Sequence, residues 1–295
     1  MSTPKPYIIQ PIPGKGMGVL ATRSIKYGEL ILSESPLFTQ SHTVAASTIQ
    51  AALAPKSDAD KRKYLELSNC HAEMPPLHGI YETNAFPCGA TDTGNAVAKG
   101  GIFLEGSRFN SSCRQNVNNC WNARKEVIEF RAVRDIEEGE ELCVTYAEDC
   151  KTREVRRKTL RQKFHFECQC PVCALSGADL KASDERRVMI GKLEDEIGQC
   201  VGRPAEGMKK IKQAVRLARE EGLVLPVLGF SYDAFQFCVM TSDLKNAKAW
   251  ISQTSKLATC IRGPEAALVY EEYVKNPKTQ RGWGFGRRMT LEGPE

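Results

Sequence analysis

Residues 166–173 read Phe-Glu-Cys-Gln-Cys-Pro-Val-Cys, and this C-x-C-x-x-C run decides how the rest of the chain is read. Three thiolates this close together, Cys168, Cys170 and Cys173, can wrap one zinc ion, but a structural zinc takes four ligands in a tetrahedron. The fourth must come from elsewhere. His165 is the nearby histidine, and other cysteines can reach in through the fold. An exposed triple of free thiols would be an oxidation hazard, so a metal is favoured over three bare thiols.

The chain around this run has 295 residues, enough for two domains or for one large domain with an appendage. Hydrophobic residues make up 41% and charged residues 26%, which excludes wholesale disorder, collagen and coiled coil. A net charge of +5 is too small to argue for direct nucleic-acid binding. The N-terminus lacks the apolar run of a signal peptide, and no apolar stretch is long enough to span a membrane. A reducing compartment is therefore expected, nucleus or cytoplasm, with the twelve cysteines as thiols or metal ligands and not disulfides. Cys70, Cys88, Cys120, Cys143, Cys150, Cys200, Cys238 and Cys260 stand singly and read as small buried hydrophobes.

Upstream of the cysteine run the pattern is short and β-like. Val19–Ala21 and Leu30–Leu32 read as strands around a turn at Ile25–Glu29. Residues 41–80 suggest helices near 44–53 and 58–68, residues 81–100 a loop, and residues 101–146 short strands punctuated by Gly and Asn. This is an α+β pattern of small sheets, not a doubly wound fold. Directly before the run, residues 151–163 carry seven basic side chains and read as a solvated face, as does the acidic run at 137–141. Downstream, Met189, Leu193, Ile197 and Val201 recur every four residues, and Met208, Ile211, Val215 and Ala218 follow the helical stripe. Residues 230–251 suggest two more helices, giving a helical domain over 177–276 that could be built of tetratricopeptide-like hairpins. The tail at 277–295 is either disordered or packed back through Trp283 and Phe285.

Three other stretches carry polar chemistry. Gly14-Lys-Gly-Met-Gly18 leads into a strand and not a helix, which argues against a dinucleotide fingerprint. Arg108–Asn116, RFNSSCRQN, gathers asparagine, serine and cysteine. Gly139–Tyr146, GEELCVTY, is a turn followed by a strand ending in tyrosine. Taken singly, each reads as an ordinary turn or strand end.

Their order is more specific. GKGMG, then RFNSSC, then GEELCVTY, then FECQCPVC resembles the SET-domain protein lysine methyltransferases, nearest to the SET-and-MYND branch and its fungal relatives without a MYND finger. Residues 41–80 hold only Cys70 with His42, His71 and His78, too few for a MYND two-zinc cluster. The resemblance covers about 8–40 and 80–175. It implies a β-clip-like SET domain over 1–150 with a helical insert at 41–80, a zinc-bound post-SET segment over 151–176, and an α-helical C-terminal domain.

The resemblance also implies a chemistry: transfer of a methyl group from S-adenosylmethionine to a lysine side chain of a histone or nonhistone protein, by a probable monomer's single site reading of the chain as one polypeptide. The cofactor would be held by Lys15, Gly16 and Met17 through backbone, by Asn110 and Ser111, and by Phe166 against the adenine. Tyr146 would be the catalytic tyrosine, also touching the cofactor, and Asn84 and Phe86 would line the substrate channel. Cys113 would complete a Cys₄ zinc site with Cys168, Cys170 and Cys173. Ser111 stands where the family usually has histidine, and Gln115 where it has proline. That departure keeps open an alternative, a catalytically weak or repurposed SET fold that binds the cofactor and serves as a scaffold or acts on a small molecule.

Overall fold

A computed structural model describes residues 4–41, 44–89 and 99–294. The described chain divides into two units, Met1–Tyr146 with Lys158–Cys168, and Ala147–Arg157 with Gln169–Glu295.

The first unit is made of small sheets. Strands β1 (Tyr7–Ile12) and β2 (Gly16–Ala21) form an antiparallel hairpin. Its turn is glycine-dependent, because Gly14 and Gly16 have φ of +73° and +72°, a region that side chains with a Cβ rarely enter. Strands β3 (Leu30–Glu34) and β4 (Phe38–Gln40) follow. Helices α1 (Ala46–Leu53), α2 (Asp58–Leu65) and α3 (Pro76–Asn84) then form the insert. Two of these match the helices expected from sequence, and α3 extends into the stretch expected to be loop. Strands β5 (Phe86–Cys88) and β6 (Lys99–Ile102) build a sheet of order β4-β6-β5. Strand β7 (Asn110–Ser111) comes next, and β8 (Val117–Asn122) and β9 (Val127–Ala132) join β3 in the order β3-β9-β8. Finally β10 (Cys143–Val144) pairs parallel with β7, setting Cys143 opposite Asn110 and Val144 opposite Ser111.

An aromatic cluster fills the space under these sheets. Phe109 stacks on Phe130 with centroids 4.4 Å apart, and Phe86 meets Phe130 and Phe103 edge-on. Phe103, Phe109 and Phe130 are fully buried, each contributing about 1.5–3 kcal/mol of hydrophobic stabilisation. A second core of Phe38, Tyr64, Tyr81 and Ile49 anchors the helical insert to β4 and β6.

The second unit is helical: the start of α4 (Arg153–Phe164), then α5 (Gly177–Gly198), α6 (Pro204–Glu221), α7 (Val224–Met240) and α8 (Leu244–Arg262). The α6 stripe Met208, Ile211, Val215, Ala218 is buried as its period requires. The α5 stripe is not. Its buried residues are Ile190, Leu193, Ile197 and Cys200, while Met189 and Val201 are exposed. A strict four-residue spacing drifts about 40° per step around a helix of 3.6 residues per turn, so the ends of that series leave the face. Inside the unit, buried Glu221 accepts from Ser183 Oγ at 2.8 Å and from Arg187 Nε at 2.8 Å. The tail packs back. Gly284 and Gly286 donate to the Val239 and Met240 carbonyls, and Trp250 Nε1 donates to the Glu292 carbonyl. Trp283 lies against the core, whereas Phe285 is exposed.

No helix among the described residues is long and apolar enough to cross a membrane. Of the eight single cysteines, Cys88, Cys143, Cys200 and Cys238 are buried as expected, while Cys70, Cys120, Cys150 and Cys260 are only partly covered.

Candidate active site and metal centre

The parallel β7–β10 pair organises the site. It lays the asparagine motif beside the strand that ends two residues before Tyr146. Asn116 locks the pairing: its amide donates to the Glu141 carbonyl at 2.9 Å, and its side-chain oxygen accepts from Cys143 N at 2.7 Å. On the other side, Leu142 N donates to Val19 O and Ala21 N to Glu140 O, so the segment before β10 also lies along β2. Three stretches distant in sequence thus converge.

Tyr146 is held at three points. Its hydroxyl donates to the Phe109 carbonyl at 2.6 Å, its backbone N–H donates to Ser111 Oγ at 3.2 Å, and its ring lies 4.9 Å from that of Phe164. Burial pushes the hydroxyl's pKa well above that of a free tyrosine, with the nearby Cys143 and Glu141 adding to the shift. The group is therefore a neutral hydrogen-bonding phenol across the ordinary pH range. Ser111, where histidine was the usual residue, braces Tyr146 through this short hydroxyl contact.

Glu141 joins two of the expected cofactor residues. It pairs with Lys15 Nζ, and it accepts from Asn110 Nδ2 at 2.9 Å. Asn110 Nδ2 also reaches the Met17 carbonyl at 3.3 Å. Burial alone would lower the Lys15 pKa, but the Glu141 carboxylate outweighs it and raises it. Glu141 had been read as part of a solvated acidic run. The signal that could have found it is its place in the strand approach to Tyr146, opposite Leu20. The glycine turn is open where a ligand would approach, since a Cβ on Gly14 or Gly16 would meet nothing within 4 Å. Gly18 differs, because a Cβ there would fall 2.7 Å from Asn110 Nδ2.

Phe86 is half-buried, wedged edge-on into the Phe103 and Phe130 rings. Asn84 is buried with its amide donating to the Ser68 and Ile80 carbonyls at 2.6 and 2.7 Å, which fastens the end of α3. Phe166 is partly exposed, just past α4.

Cys113, Cys168, Cys170 and Cys173 form a group of buried thiols whose sulfur atoms all lie within 4.8 Å of one another. Cys113 and Cys168 are 4.0 Å apart. Four soft donors converging in a dry setting fit tetrahedral zinc. The basic run ahead of the cysteines is not simply a solvated face. Arg153 and Arg157 donate to the Cys173 carbonyl at 3.4 and 3.0 Å, and buried Arg156 sets a guanidinium nitrogen 3.9 Å from Cys173 Sγ. A cation there offsets part of the negative charge that four thiolates bring to a divalent metal.

Comparison with known proteins agrees with this arrangement. A SET-domain family model matches residues 16–147. The histone-lysine N-methyltransferase set5 of Schizosaccharomyces pombe is 32% identical over 280 residues, which cover 92% of this chain and 85% of that protein. The human histone-lysine N-methyltransferase SMYD3 is 35% identical over 121 residues, 39% of this chain and 28% of SMYD3. The protein-lysine N-trimethyltransferase SMYD5 of Gallus gallus is 32% identical over 99 residues, 32% of this chain and 24% of SMYD5.

Proposed function

This chain belongs to the SET-domain family of S-adenosylmethionine-dependent protein lysine methyltransferases, and from that premise we propose how its own residues divide the work. Tyr146 is the catalytic residue. Lys15, Gly16, Met17, Asn110, Ser111 and Phe166 hold the cofactor, Phe86 walls the lysine channel with Asn84 behind it, and the four clustered cysteines hold one structural zinc. The observation that carries this reading is the fixed Tyr146 hydroxyl, placed by Phe109 and Ser111 beside the asparagine motif.

S-adenosylmethionine supplies an electrophilic methyl on a sulfonium, open to in-line displacement by a neutral amine. The protein's part is positioning. A free lysine has a pKa of about 10.4, so the amine must lose its proton before it attacks, and an apolar aromatic channel favours the neutral form. The Phe86 ring also attracts the incoming ammonium by cation–π contact. The Tyr146 hydroxyl, already oriented, limits the angles at which the amine can arrive, a proximity effect. Glu141 sets the Lys15 and Asn110 side chains before any ligand arrives, which lowers the ordering cost of binding.

The substrate class is protein lysine. Histones are the first substrates to test, because the fission-yeast relative is named for them, and that name also supports action in the nucleus. Incubation of the protein with methyl-labelled cofactor and a panel of histones and lysate proteins should label a lysine. Cofactor binding by calorimetry with no transfer to any of them would instead favour a SET fold repurposed as a scaffold or for a small molecule.

A further inference from the structure

Apart from the site above, one further set of metal-ligating side chains converges among the described residues. His71 and Glu73 lie on the turn between α2 and α3, and His165 lies just past α4. A ring nitrogen of each histidine and a carboxylate oxygen of Glu73 all lie within 4.8 Å of one another. His71 Nδ1 is 3.2 Å from Glu73 Oε1, and the two imidazoles meet edge to face with centroids 5.2 Å apart. We propose that His71, Glu73 and His165 form a second metal site, separate from the cysteine group, that takes a first-row divalent cation such as zinc.

The donor chemistry supports this. Two imidazoles and one carboxylate are a donor set that suits zinc, and three protein ligands leave a position for water. The site is partly exposed, so a cation can enter without unfolding anything. It differs in kind from the cysteine group, which is buried and built of thiolates alone.

The backbone support is the second line of argument. The turn that carries His71 is tied down: His71 N donates to Asn69 Oδ1 at 3.0 Å, Met74 N to the His71 carbonyl at 3.0 Å, and Cys70 N to Thr83 Oγ1 at 3.1 Å. It sits directly on α3, because a Cβ on Gly79 would fall 2.7 Å from the His71 carbonyl. His165 is set just as firmly. Its N–H closes α4 on the Arg161 carbonyl at 3.1 Å, and its φ of +54° turns the side chain out of the helical path. Both imidazoles are therefore presented from fixed backbone, and a cation would have to order little besides the Glu73 side chain. Closing the site would link the 71–73 turn to the residue before Phe166.

The test uses the full chain with its cysteine site already loaded with zinc and free metal removed. Titration with Co²⁺, followed by calorimetry and visible absorption, should show one further equivalent bound. Its spectrum should show d–d bands of nitrogen and oxygen ligation without thiolate charge-transfer absorption. His71→Ala and His165→Gln should each weaken this binding by about 100-fold, as loss of a ligand does. His78→Ala should leave it unchanged, since His78 pairs with Glu82 on α3 instead. His165 is exposed, so its substitution leaves the fold intact, and circular dichroism checks this for both variants. Absence of a further equivalent, a thiolate charge-transfer signal, or binding that survives both substitutions would overturn the proposal.

Discussion

The hydroxyl of Tyr146 donates to the backbone carbonyl of Phe109, 2.6 Å away and 37 residues earlier in the chain. Phe109 is itself fully buried and stacked on Phe130, so the acceptor cannot drift. The phenol is aimed by the core of the SET unit and not by its own loop.

Removing that hydroxyl should separate chemistry from binding. Tyr146→Phe should lower methyl transfer by about 100-fold, the scale of a misaligned reactive geometry. The loss of one hydrogen bond should cost about 1 kcal/mol of stability. Cofactor affinity, read by calorimetry, should hold. Full turnover in this variant would contradict the assigned role.

Glu141→Gln tests the pre-set cofactor residues. The substitution removes the charge opposite Lys15 and weakens the hold on Asn110. Hydrogen bonds to charged groups contribute about 1.5–3 kcal/mol. Cofactor affinity should therefore fall by about tenfold or more, with the thermal midpoint nearly unchanged. An unaltered dissociation constant would show that Glu141 only decorates the strand.

Zinc removal should act locally first. Metal analysis should give one tightly held zinc per chain, and Cys113→Ser should lose it. Because metal-binding energy is folding energy for such a segment, a strong chelator should raise hydrogen exchange around 164–175 before it does so in the aromatic core. Uniform loosening of the whole chain would argue against a local zinc staple.

The helical unit should carry an acid-sensitive lock at Glu221. Burial alone would raise the pKa of this carboxyl, but the Ser183 hydroxyl and the Arg186 and Arg187 guanidiniums outweigh it and hold it below the usual range. A depressed folded-state pKa means that stability is present above the unfolded value of about 4.3 and is lost as pH falls through the folded value. Glu221→Gln should cost about 3 kcal/mol at pH 7, as for other broken buried ion pairs. In urea unfolding that difference should shrink below about pH 4. A gap independent of pH would mean that packing, and not charge, holds the site.

Much of the site was legible because its motifs are local. The C-x-C-x-x-C run announced a metal on spacing alone, and the order of GKGMG, RFNSSC and GEELCVTY pointed to the family. The misreadings share one cause, that a charge or a period in sequence does not say what it will face. Glu141 and Arg156 sat in runs that looked solvated, yet one joins Lys15 to Asn110 and the other is buried beside Cys173. Met189 and Val201 kept a helical spacing but drifted off the buried face of α5. Helix α3 was hidden by the prolines and glycine at its start, residues that in fact begin it, since Pro at the first helical position needs no N–H partner.

By itself, the sequence determined the class of fold, the family, and the residue types available for chemistry, because those depend on short-range pattern and composition. Tertiary structure alone decided which of them meet. Parallel pairing of β7 with β10 is a long-range contact that no local propensity encodes, and it brings Ser111 to Tyr146. The same holds for Cys113, which lies 55 residues from Cys168 yet has its sulfur 4.0 Å away. It holds again for His71 and His165, whose rings touch only because a turn on α3 and the end of α4 arrive at one place.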